Sequence, residues 1–311
     1  MLTALVGYLR CPVCATALHA APVGAALRGG MPRALRCGRG HAFDVARQGY
    51  VNLSAGRLTH PGDTAGMVAA RQRFLASGGY GFVAAAIAAQ AAQAMTAHAA
   101  QATAAHAAQA TTAGAAGTPA RLVLDAGAGT GHHLAAVLDA VPGAVGLALD
   151  VSKPALRRAA RAHPRAGAAL ADTWRGLPVA DHCAAVLLNV FAPRNGAEFR
   201  RVLRPDGTLI TVTPEADHLA ELVGRLELLR VDAAKADRLA GSLDPWFRPA
   251  GGARLSRTLS LSREQVADLV AMGPSAHHAD PEALAAAIAT LPEPVPVTAG
   301  VRITRWQPVT P

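Results

Sequence analysis

An apolar run that ends in a glycine-rich turn constrains the fold of this chain more than any other feature. The run begins at Leu122, and the turn after it contains Gly127, Gly129 and Gly131. Glycines let the backbone turn tightly and approach a ligand closely, and the N-terminus of a following helix faces that ligand. Because a helix-like stretch follows at 134–141, the segment predicts a strand, a ligand-binding turn and a helix in succession.

Short apolar runs alternate with helix-like stretches through the rest of the chain. The strand-like runs are 122–125, 145–150, 185–190 and 208–213. The helix-like stretches are 134–141, 154–163, 197–203 and 217–229. This alternation predicts an α/β fold with a doubly wound, Rossmann-like parallel sheet. The tail adds helices over 263–272 and 281–291, and strands over 254–261 and 295–306 that suit an antiparallel hairpin.

A second motif lies near the N-terminus, where Cys11-Pro-Val-Cys14 is followed after 22 residues by Cys37-Gly-Arg-Gly-His41. A Cys-x₂-Cys pair closes a tight turn so that both thiolates reach one ion, and Cys37 and His41 complete a tetrahedral set. We expect glycine beside each cysteine pair to turn backbone amides toward the sulfurs. Because no ligand position stays open, the spacing predicts structural zinc. A redox Cys-x-x-Cys, the alternative, sits where a strand meets a helix, and this segment is rich in turns.

Three acidic residues follow three successive strands. Asp125 precedes the first glycine of the turn, Asp150 ends the second strand, and Asp172 follows the third. Asp125 suits the ammonium of S-adenosylmethionine, Asp150 its ribose hydroxyls, and Asp172 its adenine amino group. Dinucleotide enzymes also place an acid on the ribose, and each acid has the alternative role of a helix cap. Together the three favour a methyltransferase over a dehydrogenase.

The strand-like run 185–190, which is the fourth strand when the one before Asp172 is counted, leads into Asn189-Val-Phe191-Ala-Pro-Arg194. A polar residue here, followed by an aromatic and a proline, is typical of amino-directed methyltransferases. We expect Asn189 to hold the acceptor base and Phe191 to stack on it, and the alternative is a plain strand-to-loop turn. His132 and His133 directly follow the glycine turn and are further candidates for contact with the cofactor.

The positive charge is concentrated at one end of the chain. The formal net charge is +9, and residues 1–80 hold nine arginines against two acids, which accounts for +7 of it. A basic N-terminal module favours an anionic partner, with nucleic acid the first candidate, whereas the alternative is an arginine bias throughout the chain. Phosphate contacts and a solvent-exposed face explain the basic residues of a later helix equally well. The basic residues of this helix-like stretch are Lys153, Arg157, Arg158, Arg161 and Arg165.

The region 54–120 predicts a connection between two domains, 1–53 and 121–311. A cap at Thr64 precedes a helix over 65–76. The low-complexity stretch after 83 predicts a helix at its start and a mobile linker toward 114–119, with His98 and His106 on an exposed face. It is too poor in Leu, Ile and Phe to span a membrane. Since no signal peptide is visible either, we expect a soluble cytoplasmic protein with no membrane partner.

Taken together, these residues resemble the 23S ribosomal RNA guanine-N1 methyltransferases, and above all the branch that confers resistance to tylosin- and mycinamicin-type macrolides. The matching stretches are 8–14, 40–53, 63–71, 125–133, 149–155, 189–195 and 272–275. The resemblance implies a class I methyltransferase sheet with a small N-terminal zinc-binding domain, S-adenosylmethionine as cofactor, and a homodimer. It also implies methylation of N1 of a guanine in a 23S rRNA hairpin loop, at position 748 rather than the neighbouring 745.

Two other functions stay open at this point. A small-molecule methyltransferase with a purely structural zinc domain does not explain the basic module. An inactive zinc-dependent RNA-binding protein does not explain the intact glycine turn and acids. If guanine N1 is the acceptor, its proton must be lost. Besides water, the conceivable proton acceptors are Asp63, His132, His133 and His218.

Overall fold

The computed structural model describes residues 2–21, 33–54, 56, 58, 60–108, 121–226, 228, 241–273 and 280–309, with the backbone alone described over 99–108. The linker expected at 114–119 lies outside these residues. At the N-terminus, a short helix α1 (Leu2–Leu5) and a 3₁₀ turn (Val6–Tyr8) lead into a small antiparallel sheet. Its strands, in spatial order, are β1 (Leu18–Ala20), β2 (Ala34–Cys37) and β3 (Ala42–Asp44).

The larger sheet has eight strands, and its order is β10-β11-β9-β8-β5-β6-β7-β4. The strands are β4 (Tyr50–Asn52), β5 (Arg121–Ala126), β6 (Ala144–Asp150), β7 (Ala166–Leu170), β8 (Ala184–Val190), β9 (Leu203–Pro214), β10 (Phe247–Leu261) and β11 (Val295–Pro308). All pairings from β4 to β9 are parallel, and β10 and β11 form an antiparallel hairpin against β9. The predicted doubly wound sheet and its terminal hairpin are confirmed.

Helices cover both faces of this sheet, which is why its central strands are apolar along their whole length. They are α2 (Ala65–Ala76), α3 (Gly81–Ala108), α4 (His132–Ala140), α5 (Lys153–Ala159), α6 (Gly196–Val202) and α7 (Ala220–Arg225), followed by helices Arg263–Ala271 and Pro281–Ala289. The predicted cap of α2 is confirmed, because the Thr64 hydroxyl accepts a hydrogen bond from the Met67 amide.

The Ala-rich helix α3 packs better than its composition suggests. Val83, Ile87 and Met95 recur at spacings of four or eight residues and are buried, so they line one face that contacts α4 and β9. His98 is buried as well, with Nε2 3.4 Å from Thr208 Oγ1. The expectation of an exposed face is therefore wrong for His98, and the side chain of His106 lies outside the described residues. Alanine allows the helix to approach its neighbours closely, so a few larger side chains suffice.

The N-terminal module packs directly on the large sheet. Strand β4 pairs in parallel with β7, with Tyr50 opposite Ala168. At Gly167 of β7, an added Cβ would lie 2.5 Å from Leu5 Cδ1, so α1 packs closely on this strand and a larger side chain there would force the Leu5 side chain to move. The domain boundary at residue 53 stays a prediction, and the structure adds that the residues just before it complete the large sheet.

Within the described part of the chain, no single helix is long and apolar enough to cross a membrane. The helices Ala65–Ala76 and Gly81–His98 together have the length and apolar composition of a membrane span, but the pair is bent by 82°.

Candidate active site and metal centre

The four predicted zinc ligands lie together at the small sheet. The sulfurs of Cys11, Cys14 and Cys37 and a ring nitrogen of His41 all lie within 4.8 Å of one another. Cys37 Sγ is 3.7 Å from Cys14 Sγ and 3.3 Å from His41 Nδ1. Thiolates at about 2.3 Å from a tetrahedral zinc ion are about 3.8 Å apart, so the arrangement fits zinc. Burial opposes ionisation of Cys37, but the Arg39 amide and the His41 ring bring its pKa down to about 6.

The local backbone explains how the two ligand pairs form. In the second pair, Gly40 has a φ of +89° and its amide donates to the Cys37 carbonyl at 3.0 Å, as expected of glycine there. In the first pair, the left-handed position belongs to Ala15, with a φ of +58°, and the Ala15 amide donates to the Cys11 carbonyl. The expectation of a glycine beside each pair is therefore wrong for the first, where alanine adopts the unfavourable conformation.

The glycine turn lies at the carboxyl end of β5, as predicted. Gly127, Gly129 and Gly131 have φ values of +86°, +54° and +79°, which glycine adopts without steric cost. Space also requires glycine at the first position, because an added Cβ at Gly127 would lie 2.3 Å from Ala192 Cβ. The turn is thereby packed against the loop that follows β8.

The three acids lie at the carboxyl ends of neighbouring strands. Asp125 is buried, and its Oδ1 has no hydrogen-bond partner among the described residues. Burial and then the charge of Asp150 raise the pKa of Asp125 to about 8. Asp150 accepts hydrogen bonds from the amides of Gly129 and Ser152, both at 2.8 Å. Asp172 is also buried and accepts from the Trp174 amide at 3.0 Å.

These acids fit S-adenosylmethionine. A buried carboxylate oxygen without a partner is costly, and an ammonium group is the partner that suits it. Asp150 uses one lone pair of each oxygen, so each oxygen can still accept from a ribose hydroxyl. Asp125 would hold the ammonium, Asp150 the ribose and Asp172 the adenine. When bound, the cofactor supplies a methyl group on a positively charged sulfur.

The residues just before α2 lie against the same edge of the sheet. An added Cβ at Gly62 would lie 2.8 Å from the Ser152 backbone, and the Ser152 hydroxyl donates to the Asp63 carbonyl at 2.7 Å. Asp63 also forms an ion pair with Arg71, whose Nη1 is 3.2 Å from the position of a Cβ at Gly129. Sequence reasoning assigned Arg71 no role. The only signal for it was its position in one of the stretches that carry the family resemblance.

Asn189 is placed differently from the prediction. It is fully buried, and its amide donates to the carbonyls of Ala126 at 3.1 Å and Pro193 at 2.8 Å. Its oxygen accepts from Arg194 Nε at 3.2 Å. Since an asparagine amide has two protons, neither is left for a base. In this structure Asn189 therefore shapes the loop that carries Phe191, and its direct contact with the substrate stays a prediction.

Phe191 stands at the exposed end of β8. Its ring is 43% exposed and its φ is +51°, a strained value that is more frequent at functional sites. Its centroid lies 6.2 Å from that of Tyr80 and 6.0 Å from that of His218. Tyr80 Oη lies 3.1 Å from His218 Nε2. Sequence reasoning missed Tyr80, because no local pattern links it to a residue 138 positions away.

The two histidines after the glycine turn occupy the first positions of α4. Their rings make an edge contact at 5.2 Å. Burial, with smaller effects from His132 and Arg71, lowers the pKa of His133 to about 3. Burial also lowers the pKa of His132, whose ring faces a cleft between α2 and α5. Contact of either histidine with the cofactor stays a prediction.

Known families match both halves of the chain. Residues 9–54 match a zinc ribbon described as "RlmA, N-terminal", and residues 123–207 match "Methyltransferase domain". A Micromonospora griseorubida protein named as a 23S rRNA (guanine-N1)-methyltransferase is 58% identical over 308 residues, 98% of this chain and 99% of its own. The 23S rRNA (guanine(748)-N1)-methyltransferase of Streptomyces fradiae is 49% identical over 305 residues, 98% of each chain. A Bacillus subtilis (strain 168) relative is 34% identical over 220 residues, 68% of this chain and 66% of its own.

The sheet, the glycine turn and the three acids define the chain as an S-adenosylmethionine-dependent methyltransferase that carries an N-terminal zinc ribbon. With relatives matched along nearly its whole length, it belongs to the 23S rRNA (guanine-N1)-methyltransferase family.

Proposed function

We propose that this protein transfers a methyl group from S-adenosylmethionine to N1 of guanine 748 in a 23S rRNA hairpin loop, and so confers resistance to tylosin- and mycinamicin-type macrolides. The observation that carries the proposal is the 49% identity, over 98% of both chains, with the Streptomyces fradiae enzyme of that specificity. We also propose that the enzyme works in the cytoplasm without a membrane partner, and that it is a homodimer. Light scattering of the purified protein tests the homodimer.

Exposed aromatic side chains support an RNA base as the acceptor. Phe191 at the end of β8 and Trp174 after β7 are 43% and 53% exposed, on the edge of the sheet that carries the acids. The Trp174 ring also lies 6.4 Å from His60. Proteins that bind unpaired RNA bases stack them on such side chains, and an enzyme that modifies a base must first take it out of its stack. Phe191 would hold the guanine beside the cofactor site.

The structure favours one of the four candidate acceptors for the N1 proton. Asp63 is engaged in its ion pair with Arg71. His132 and His133 lie on α4, where their rings contact each other. His218 contacts Phe191, and burial lowers its pKa, so the ring is neutral at pH 7 and can accept a proton. Its Nε2 already faces the Tyr80 hydroxyl. The N1 proton would therefore pass to the Tyr80 oxygen as the Tyr80 proton passes to His218.

Mapping of 23S rRNA tests the proposal. A methyl on N1 blocks the Watson–Crick edge, so reverse transcription should stop at one loop guanine in cells that carry the gene and read through in cells that lack it. Cells with the gene should also tolerate tylosin better. If the methyl is found on a small metabolite and never on 23S rRNA, the proposed substrate is wrong.

The basic N-terminal module is expected to dock the RNA. Arg39 and Arg47 are exposed, and neither forms an ion pair within the described residues. Replacing both with Ala should weaken binding of a 23S hairpin, and the salt slope of its affinity should fall by about one for each phosphate that the variant no longer binds. Affinity for S-adenosylmethionine should not change, because both residues belong to the zinc ribbon and not to the methyltransferase domain. Unaltered hairpin affinity in filter binding would contradict the docking role.

A further inference from the structure

The cleft that His132 faces lies next to the glycine turn, and none of the three acids lines it. Its volume is about 380 Å³, and α2, the start of α4 and the end of α5 enclose it. Its polar lining consists of Gln72, Thr130, His132, Arg158 and Arg161, and the remainder is Leu and Ala. Among the residues that the structure describes, no acidic side chain lines it. The cleft is therefore positively charged.

Its two arginines are available to a ligand. Arg158 lies in the last turn of α5 and Arg161 in the turn that follows it, where the Arg161 amide donates to the Arg158 carbonyl at 2.9 Å, and both residues line the cleft. Both residues are exposed. In the described ranges of the chain, neither guanidinium group takes part in an ion pair or a hydrogen bond. Within that part of the chain, no ion pair or hydrogen bond competes with a ligand for them.

Other basic residues of the same region are placed differently. The Arg165 guanidinium donates to the carbonyls of Val141 at 2.9 Å and Ala144 at 2.6 Å, so its hydrogen bonds are used by the backbone that follows α4. Lys153 and Arg157 are exposed but do not line the cleft. Of the five basic residues that the sequence placed here, the structure selects Arg158 and Arg161 for contact with an anion.

The remaining donors suit a phosphate group. Two guanidinium groups, a hydroxyl and an amide match the oxygens of a phosphate, which arginine binds with paired hydrogen bonds. Helix α4 is nine residues long, and its N-cap, Gly131, offers no side chain to the first amides. The positive end of its dipole therefore adds to the site. The buried Nε2 of His132 has no hydrogen-bond partner among the described residues.

We propose that this cleft binds a backbone phosphate of the 23S rRNA substrate near the target guanine, an inference that rests on the proposed function. Phosphate contacts fix the register of a nucleic acid on a protein. Because Thr130 and His132 belong to the same segment as the glycine turn, a phosphate held here would set the register of the RNA next to the cofactor site.

The test is a double variant, Arg158→Gln with Arg161→Gln, in the zinc-loaded full chain. Its affinity for a 23S hairpin should fall about tenfold, and the salt slope should fall by about one because one phosphate is no longer bound. A matched control, Arg157→Gln with Arg200→Gln, removes the same charge from residues that do not line the cleft. The control should keep most of the affinity. S-adenosylmethionine affinity and thermal stability should be unchanged in both proteins.

A neutral methylphosphonate, placed at one backbone position at a time, identifies the phosphate. A methylphosphonate at one position near the target guanine should weaken binding to the wild type. It should have little effect on binding to the double variant, which already lacks the contact with that phosphate. If the double variant binds as tightly as the control at every salt concentration, the cleft does not bind RNA. If inorganic phosphate occupies the cleft but no methylphosphonate matters, the site takes free anions and the RNA assignment is wrong. A wild-type protein that leaves the hairpin unmethylated contradicts the proposed function instead.

Discussion

Cys37→Ser is expected to lose zinc and to unfold the N-terminal module. Cys37 lies in β2 opposite Leu18 of β1, so its sulfur joins the two ligand pairs to the small sheet. This sheet has few large buried side chains, and structural zinc contributes about 10–16 kcal/mol in comparable modules. With three ligands left, the metal is held too weakly to fold the ribbon. Elemental analysis should give one zinc per chain in the wild type and much less in the variant.

Hydrogen exchange should locate the effect. Amides of β1, β2 and β3 should lose protection, while β5, β6 and β8 stay protected because their hydrogen bonds lie within the large sheet. Cys183→Ser is the matched control, since Cys183 lies outside the cluster and donates to the Ala180 carbonyl. The control should keep both zinc and protection. A metal-free wild type with a protected ribbon would overturn the zinc assignment.

Asp125→Asn is expected to weaken S-adenosylmethionine binding by about 1.5–3 kcal/mol, roughly 10- to 150-fold, the range for a hydrogen bond to a charged group. The substitution keeps the shape of the side chain and removes its charge. Asp125 is buried, and its Oδ1 lacks a partner within the described chain. The variant therefore tests whether this oxygen receives the ammonium of the cofactor. Titration calorimetry measures the affinity directly.

The same residue predicts a pH dependence with a definite sign. In the free protein, burial and the nearby Asp150 raise the pKa of Asp125 to about 8, so the carboxyl is mostly protonated at pH 7. A bound ammonium favours the ionised form and lowers that pKa. Binding should therefore release a proton at pH 7, and affinity should rise between about pH 6 and pH 8.

Titration calorimetry in buffers with different ionisation enthalpies measures how many protons are released when the cofactor binds. Asp125→Asn should abolish the release, and Asp139→Asn should not, because Asp139 is exposed in the last turn of α4. Equal proton release by wild type and Asp125→Asn would show that another group titrates on binding.

Much of the site is predictable because its signals are local. The zinc ligands lie in two short segments, and each segment shapes its own backbone. Gly127, Gly129 and Gly131 directly follow an apolar strand, and Asp150 ends the next strand. Since parallel strands end at one edge of a sheet, the order of the elements already brings these acids to one place.

Side chains whose surroundings come from distant parts of the chain were less predictable. Asn189 lies near the end of its strand as expected, but its hydrogen bonds to Ala126 and Arg194 make it a support for the loop, which the sequence did not predict. His98 belongs to a low-complexity stretch, yet a bond to Thr208, 110 residues away, accompanies its burial. Nothing in the neighbouring sequence encodes either environment.

The sequence by itself therefore determined the fold class, the cysteine–histidine cluster and the acids that gather at one edge of the sheet, since strand periodicity and ligand spacing are properties of short segments. The tertiary structure alone decided which side chains meet. It brings Tyr80 and His218 to Phe191, and among the described residues it gives Arg158 and Arg161 no ion pair or hydrogen bond while Arg165 is bound to carbonyls. The physical reason is that burial, charge and hydrogen bonding depend on neighbours in space, which packing chooses from the whole chain.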